Sequence, residues 1–319
     1  DFPWTGLLFG GTIVGIWYWC TDQYIVQRTL AANNIKIGRR GAIFGAYLKL
    51  LPIFIFLIPG IIAYALSIQN EGVFSIEDAD RAFPMLVKTL LPVGLKGLVA
   101  GGLMAALMSS LASVFNSCST IFTIDIYKKL KPNESEKKLL NVGKLATIVI
   151  VILGIIWIPI MEKIGGGVMY QYLQNVQSYI APPVAAVFIL GILWKRVNSK
   201  AAITTLMAGL ILLIMRLGSE IYYQTEISSD IIIDSYMFVF ATINFSHMAI
   251  LMFIFSILLC VGVTLSTSEP EYGKISGLSF GTLTKEQKLE NKNSYETIDV
   301  ILSVSLIIIV VAILSYFTG

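Results

Sequence analysis

The stretch Gly15-Ile16-Trp17-Tyr18-Trp19-Cys20-Thr21-Asp22-Gln23 sets three adjacent aromatic rings beside a hydroxyl, a carboxylate and an amide in the middle of an apolar run. At membrane depth such polar groups are costly unless they face a cavity or a partner, so they read as a functional site. The chemistry they offer is recognition: aromatic faces stack on a sugar ring, and amides both donate and accept. Lys49 lies nine residues beyond Arg40, about 13 Å along a helix, too deep for its ammonium to regain the interface fully. It is either a snorkelling or structural lysine paired with a carboxylate such as Asp22, or a donor to a polar solute. In Met104-Ala105-Ala106-Leu107-Met108-Ser109-Ser110-Leu111-Ala112-Ser113, the Ala106 carbonyl and the Ser109 and Ser110 hydroxyls share one helix face. Those hydroxyls bond back to the preceding turn, or the small residues serve close helix packing, or the three oxygens coordinate a hard cation. A sodium ion there would need about two more oxygens from elsewhere. Gln174, within the amide-rich run Tyr170–Gln177, completes the set. Aromatics, amides and one lysine suit a neutral polyol better than a hydrophobic drug.

Other chemistries find little support. Cys20, Cys118 and Cys260 lack metal-ligand spacing and read as small buried thiols. His247 stands alone near the start of an apolar segment and reads as a helix-end or interface residue; with no nucleophile–histidine pair, an enzyme is not expected. Net charge is only +3, and no basic tract carries interleaved aromatics, which argues against a nucleic-acid partner.

The elements that must position these residues are membrane helices. Only 13% of residues are charged and 56% are hydrophobic, whereas soluble domains carry about 25% charged residues; mean hydropathy is +0.78. Spans of about 20 apolar residues cross a bilayer, and eight are expected, over Pro3–Thr29, Arg40–Leu66, Lys96–Tyr127, Leu139–Met161, Gly167–Trp194, Lys200–Ile221, Phe245–Thr267 and Thr297–Phe317. Basic loops follow the first, third, fifth and seventh spans, with Arg28, Lys36, Arg39 and Arg40 in the first of them. Acidic or weakly basic loops with Glu71, Glu77, Asp78, Asp80, Glu162, Glu220, Glu226, Asp230 and Asp234 alternate with them. The positive-inside rule then puts both ends of the chain, including the C-terminus, outside the cell membrane. Pro52, Pro59-Gly60 and Ala181-Pro182-Pro183 are breakers at membrane depth, tolerated where neighbours or a cavity satisfy the freed backbone and recurrent in secondary transporters. The segment Ala79–Lys88 is expected to form a short helix, and residues 268–296 a polar cytoplasmic linker. The chain opens at Asp1 with neither an initiator methionine nor a signal peptide, and is expected to be the C-terminal part of a longer polypeptide.

Three blocks resemble the sodium–glucose cotransporter branch of the sodium/solute symporters. They are Trp17-Tyr18-Trp19-Cys20-Thr21-Asp22-Gln23 through Arg28, Ser109-Ser110-Leu111-Ala112-Ser113 through Tyr127, and Ser178-Tyr179-Ile180-Ala181-Pro182-Pro183 through Phe188 with Trp194-Lys195-Arg196-Val197-Asn198. The resemblance implies an all-α membrane protein of the leucine-transporter type. Residues 1–194 would form the second five-helix inverted repeat and residues 195–319 three additional C-terminal helices, the first repeat being the missing N-terminal half. It implies sodium-coupled symport of a sugar such as glucose or galactose by alternating access, with the lipid bilayer and the sugar as partners. By the same likeness Tyr18, Trp19, Lys49 and Gln174 bind the sugar, Tyr18 and Tyr170 gate it, and Ala106, Ser109 and Ser110 hold Na+. Ala112 stands where members with a second sodium site tend to carry a hydroxyl, implying one sodium per sugar. Gly15 stands where some bacterial members carry asparagine, and Ala201-Ala202 replaces a common Gly-Ala. The alternatives are symport of inositol or an organic acid, and a membrane sensor, which an end at Gly319 with no output domain disfavours.

Overall fold

The computed structural model describes residues 3–69, 79–164, 169–223, 227, 229 and 231–317. Every regular element among the described residues is helical. Among the described residues seven helices are long and apolar enough to cross a membrane: Ile35–Gln69, Val93–Leu130, Glu136–Pro159, Met169–Leu193, Ser199–Tyr222, Phe245–Ser266 and Thr297–Tyr316. They answer to the second through eighth expected spans. Glu71, Glu77, Asp78, Gly167, Glu226 and Asp230 lie outside the described residues.

The first expected span is not one helix. Helix α1, Gly6–Cys20, is shorter than a full crossing, and α2, Gln23–Leu30, starts afresh. Asp22 makes the break. Its backbone is extended (φ −73°, ψ 114°), and its carboxylate accepts the Tyr24 N–H at 3.1 Å. That is an N-cap, which satisfies an orphan donor at the start of α2. A carboxylate that reads as a costly polar group at depth is therefore partnered locally.

A second interruption falls at Lys49. Helix α3, Ile35–Leu48, ends there, and the chain re-enters helix through a π-turn at Ile53–Leu57 into α4, Ile58–Gln69. Pro52 lacks an N–H and crowds the residue before it, which disfavours helix at this point. The Lys49 N–H reaches both Gly45 O (3.1 Å) and Ala46 O (3.2 Å), the mark of a loosened last turn. The pair Pro182-Pro183 behaves differently: α8, Met169–Leu193, runs through it unbroken.

The described chain divides into two compact units. The first comprises Asp1–Arg40 and Gln171–Ile301. It holds α1, α2 and most of α8, then α9 (Ser199–Tyr222), α10 (Tyr236–Thr242) and α11 (Phe245–Ser266). Its core is Tyr179, Met248 and Met252, ringed by Leu212, Leu213, Leu217 and Phe240. Helix α9 lies along α11, and α1 meets α11 at close range. A Cβ at Gly6 would strike the Ser246 hydroxyl, and one at Gly10 the Ser246 carbonyl. Small residues four apart are what let two helix backbones approach this closely. Thr5 Oγ1 and His247 Nε2, 2.8 Å apart, close the same contact, so His247 is an interface residue as expected. Cys260 is buried, but Cys20 is exposed, against the expectation of a buried thiol.

The linker after α11 is folded. Helices α12, Tyr272–Ile275, and α13, Lys285–Asn293, precede α14, Thr297–Phe317. Gly277, at φ +79°, turns the chain so that its N–H reaches Thr282 O at 2.9 Å, a backbone region that glycine enters without a Cβ penalty. Thr284 and Gln287 form a reciprocal capping box at α13, at 3.2 and 3.0 Å. The segment docks on the basic end of α3. Arg39 donates to Ser294 O (2.7 Å), and Arg40 donates to Asp299 Oδ1 (2.9 Å) and Glu296 Oε2 (2.5 Å). Lys36 pairs with the other Glu296 oxygen. The Lys36 ammonium, against a smaller opposing effect of desolvation, holds the Glu296 carboxyl below its ordinary value.

The second unit comprises Gly41–Tyr170 and Leu302–Gly319. A turn at Ala79–Arg81 leads into α5, Ala82–Leu90, the expected short helix, which packs on α4 through Leu86 and Ala63. Helix α6, Val93–Leu130, contains a π-segment at Ile121–Tyr127 and lies on α7, Glu136–Ile164.

Candidate functional site

The aromatic run closes α1 just before the Asp22 break. The Tyr18 ring stands edge-on to Trp19 (6.0 Å, 87°) and tilted to Trp17 (6.4 Å, 52°). Tyr18 is half-buried and Trp19 exposed. Helix breaks of this kind, at apolar depth and beside polar side chains, are where transporter helices handle solutes and ions. Gln174 is half-buried on α8. Its neighbour Asn175 has a buried Oδ1 with no hydrogen-bond partner among the described residues. A buried acceptor left open calls for an explanation such as a ligand or water. Tyr18, Trp19 and Gln174 all belong to the first unit.

The remaining candidates belong to the second unit. Lys49 is exposed and sits at the break between α3 and α4. Tyr170 is exposed at the start of α8. Ala106, Ser109 and Ser110 lie in the unbroken part of α6, all exposed and on one face. Ser113 makes the back-bond expected of a helical serine, to Ser109 O at 3.0 Å. Ser109 and Ser110 make no such bond among the described residues. Neutral oxygens such as these two hydroxyls and the Ala106 carbonyl are the ligand type a hard cation takes.

One polar constellation escapes the sequence reading. Arg216, in the apolar run Leu212–Leu217 of α9, is buried. Its Nε donates to Glu220 Oε1 at 2.9 Å and to the Tyr179 hydroxyl at 3.3 Å, and its Nη2 to Ile243 O at 2.7 Å. The Tyr179 hydroxyl in turn donates to Glu220 Oε1 at 2.6 Å. The guanidinium lies over the Tyr179 ring at 5.4 Å and the Phe240 ring at 5.7 Å. A buried charge persists only when paired and hydrogen-bonded, and this one draws partners from α8, α9 and the end of α10. The signal was present: an arginine at membrane depth is a functional hypothesis by default, and Glu220 follows at helical i, i+4 spacing. About two turns nearer the N-terminus of α9, the ring of Pro183 fills the notch left by Gly209.

A helical membrane chain with oxygen-bearing side chains at broken helices has the build of an ion-coupled secondary transporter. The sequence model of the sodium:solute symporter family matches residues 1–209, and the chain belongs to that family. It is 39% identical to the sodium/mannose cotransporter SLC5A10 of Bos taurus over 300 residues, 91% of this chain and 50% of that protein. To the sodium/myo-inositol cotransporter 2 of Homo sapiens it is 46% identical over 234 residues, 70% of this chain and 35% of that protein. To the sodium/glucose cotransporter 4 of Danio rerio it is 36% identical over 302 residues, covering 91% and 46%. The chain therefore spans about half the length of these relatives, or less.

Proposed function

We propose that this chain is the sodium-binding and solute-binding part of a symporter that carries a hexose or similar polyol into the cell by alternating access. The observation that carries the reading is the oxygen face of α6: Ser109 and Ser110 leave the helix without the usual back-bond, in a member of a sodium-coupled family. Sodium is the cargo that couples the cycle, held by the Ala106 carbonyl and the two hydroxyls, one ion per solute. Three oxygens are too few for a sodium ion. The balance, and further solute contacts, come from an N-terminal half of the same polypeptide, consistent with relatives about twice as long. The eight spans, the inverted-repeat arrangement of residues 1–194 and an external C-terminus belong to the same proposal. Tyr18, Trp19, Lys49 and Gln174 bind the solute, and Tyr18 and Tyr170 gate it.

The energetics suffice. One charge moving through 100 mV releases about 2.3 kcal/mol, and a tenfold sodium gradient about 1.4 kcal/mol. Together they sustain a solute gradient of several hundredfold at one sodium per turnover. Myo-inositol is a second candidate solute, favoured by the 46% identity to the sodium/myo-inositol cotransporter 2. The test is uptake of labelled glucose, galactose, mannose and myo-inositol by the full-length protein, with and without external sodium. Sodium-dependent uptake of at least one is expected; uptake of none, or uptake indifferent to sodium, contradicts the proposal.

A further inference from the structure

We propose that Arg216, Tyr179 and Glu220 are positioning residues for solute binding: they fix the rotation of α8 about its own axis and so aim Gln174. This rests on the assignment of Gln174 to the solute site.

Helix α8 is continuous from Met169 to Leu193, so Gln174 and Tyr179 move as one rigid piece. Five residues separate them, which sets their side chains roughly 140° apart around the axis. An anchor on the side away from Gln174 is the arrangement that controls which way Gln174 points. The anchor is strong. Tyr179 is buried, and its hydroxyl both donates to Glu220 and accepts from Arg216. Arg216 is held in turn by Ile243 O and the Phe240 face. The Pro183 ring in the Gly209 notch is a second fixed point on the same pair of helices. Two contacts along one helix pair leave α8 little freedom to slide or turn.

The lever is long enough to matter. A turn of about 20° carries a side-chain tip about 6 Å from the axis through about 2 Å, which takes a hydrogen bond out of range. Losing one neutral hydrogen bond to the solute raises KM about three- to tenfold. A residue that served only folding would lower the number of transporters at the surface and leave the KM of those present unchanged.

The experiment measures uptake of labelled D-glucose and myo-inositol by the full-length protein carrying Tyr179→Phe, Gln174→Ala, or both, normalised to surface protein. Tyr179→Phe keeps the buried ring and removes only the hydroxyl, so Arg216 retains Glu220 and Ile243; Arg216→Lys, which keeps the charge but loses the fork, is the second variant. Each single substitution is expected to raise KM about three- to tenfold with little change in maximal rate per surface transporter. In the Gln174→Ala background Tyr179→Phe is expected to add nothing, because its effect passes through Gln174. Unchanged KM in both Tyr179→Phe and Arg216→Lys, or a full additional effect of Tyr179→Phe on Gln174→Ala, overturns the inference alone. Unchanged KM in Gln174→Ala removes Gln174 from the solute site and overturns the inference with it.

Discussion

Substituting Gly209 by alanine tests how tightly α8 and α9 are keyed together. An added Cβ would lie 2.6 Å from Pro183 Cβ and closer still to Pro183 Cγ, where carbon atoms prefer about 3.5–4.0 Å. Neither helix can yield locally. The proline ring has no rotamer to escape into, and both residues are buried. The methyl must therefore push the helices apart by roughly 1 Å, and overpacking of this kind costs about 1–3 kcal/mol. An opposing effect exists, since alanine is favoured over glycine in a helix interior by about 0.8–1 kcal/mol. With an overlap this severe the clash lies toward the upper end of its range, and the net is a loss of about 2 kcal/mol. Gly218 on the same helix supplies the control, because a Cβ there meets nothing within 4 Å. Gly218→Ala should gain close to the full propensity difference, about 0.8–1 kcal/mol. Thermal melting of the purified full-length protein in detergent should thus move in opposite directions for the two variants. Pro183→Ala should recover part of the loss in the Gly209→Ala background. Equal melting temperatures for Gly209→Ala and Gly218→Ala would refute the keyed contact.

Two further outcomes follow from local structure. Asp22→Ala should destabilise the start of α2 by about 1 kcal/mol, while Asp22→Asn, which also caps, should be nearly neutral; melting of both variants checks this. The latch between Lys36, Arg40 and Glu296 predicts a pH effect of definite sign. Because the folded-state value of Glu296 is lowered, its contribution is present above the ordinary 4.5 and is lost as the pH falls through the lowered value. With side chains roughly two-fifths exposed the effect should be small and weaker in high salt. Melting at neutral pH against melting well below the ordinary 4.5 should show a smaller drop in Glu296→Gln than in the unsubstituted protein.

Much of the fold was legible because membrane helices announce themselves by length and hydropathy, which local sequence carries. Among the described residues, seven of the eight expected spans coincide with long apolar helical segments, the second of them interrupted at Lys49. The interruption of the first span at Asp22 has a specific cause. Asp22 followed by Gln23 and Tyr24 is a capping arrangement, but inside an apolar run it was weighed for burial cost rather than for its backbone partner. Pro52 and Pro182-Pro183 looked alike as breakers, yet only the first interrupts its helix. What separates them is tertiary: Pro183 fits against Gly209, a residue 26 positions away that no local pattern connects to it. Residues 268–296 read as a polar linker, within which Thr284 and Gln287 spell a capping box, whereas the pairing of Arg40 with a buried acid, Asp299, far along the chain leaves no local signal. At the candidate site, residue types and helix faces could be read directly. Arg216 was legible too, as an intramembrane charge with an acid four residues on; its link to Tyr179 on another helix was not.

In the proposed function a sodium ion held beside Ala106, Ser109 and Ser110 raises the affinity for the solute. The most direct measurement of this is equilibrium binding of labelled D-glucose and myo-inositol to the purified full-length protein across a sodium titration, with Ser110→Ala alongside. Binding of one of them should tighten with sodium in the unsubstituted protein, with a sodium dependence of first order, and Ser110→Ala should weaken or abolish that tightening. Solute affinity indifferent to sodium, or a Ser110→Ala protein with the same sodium dependence as the original, would contradict it.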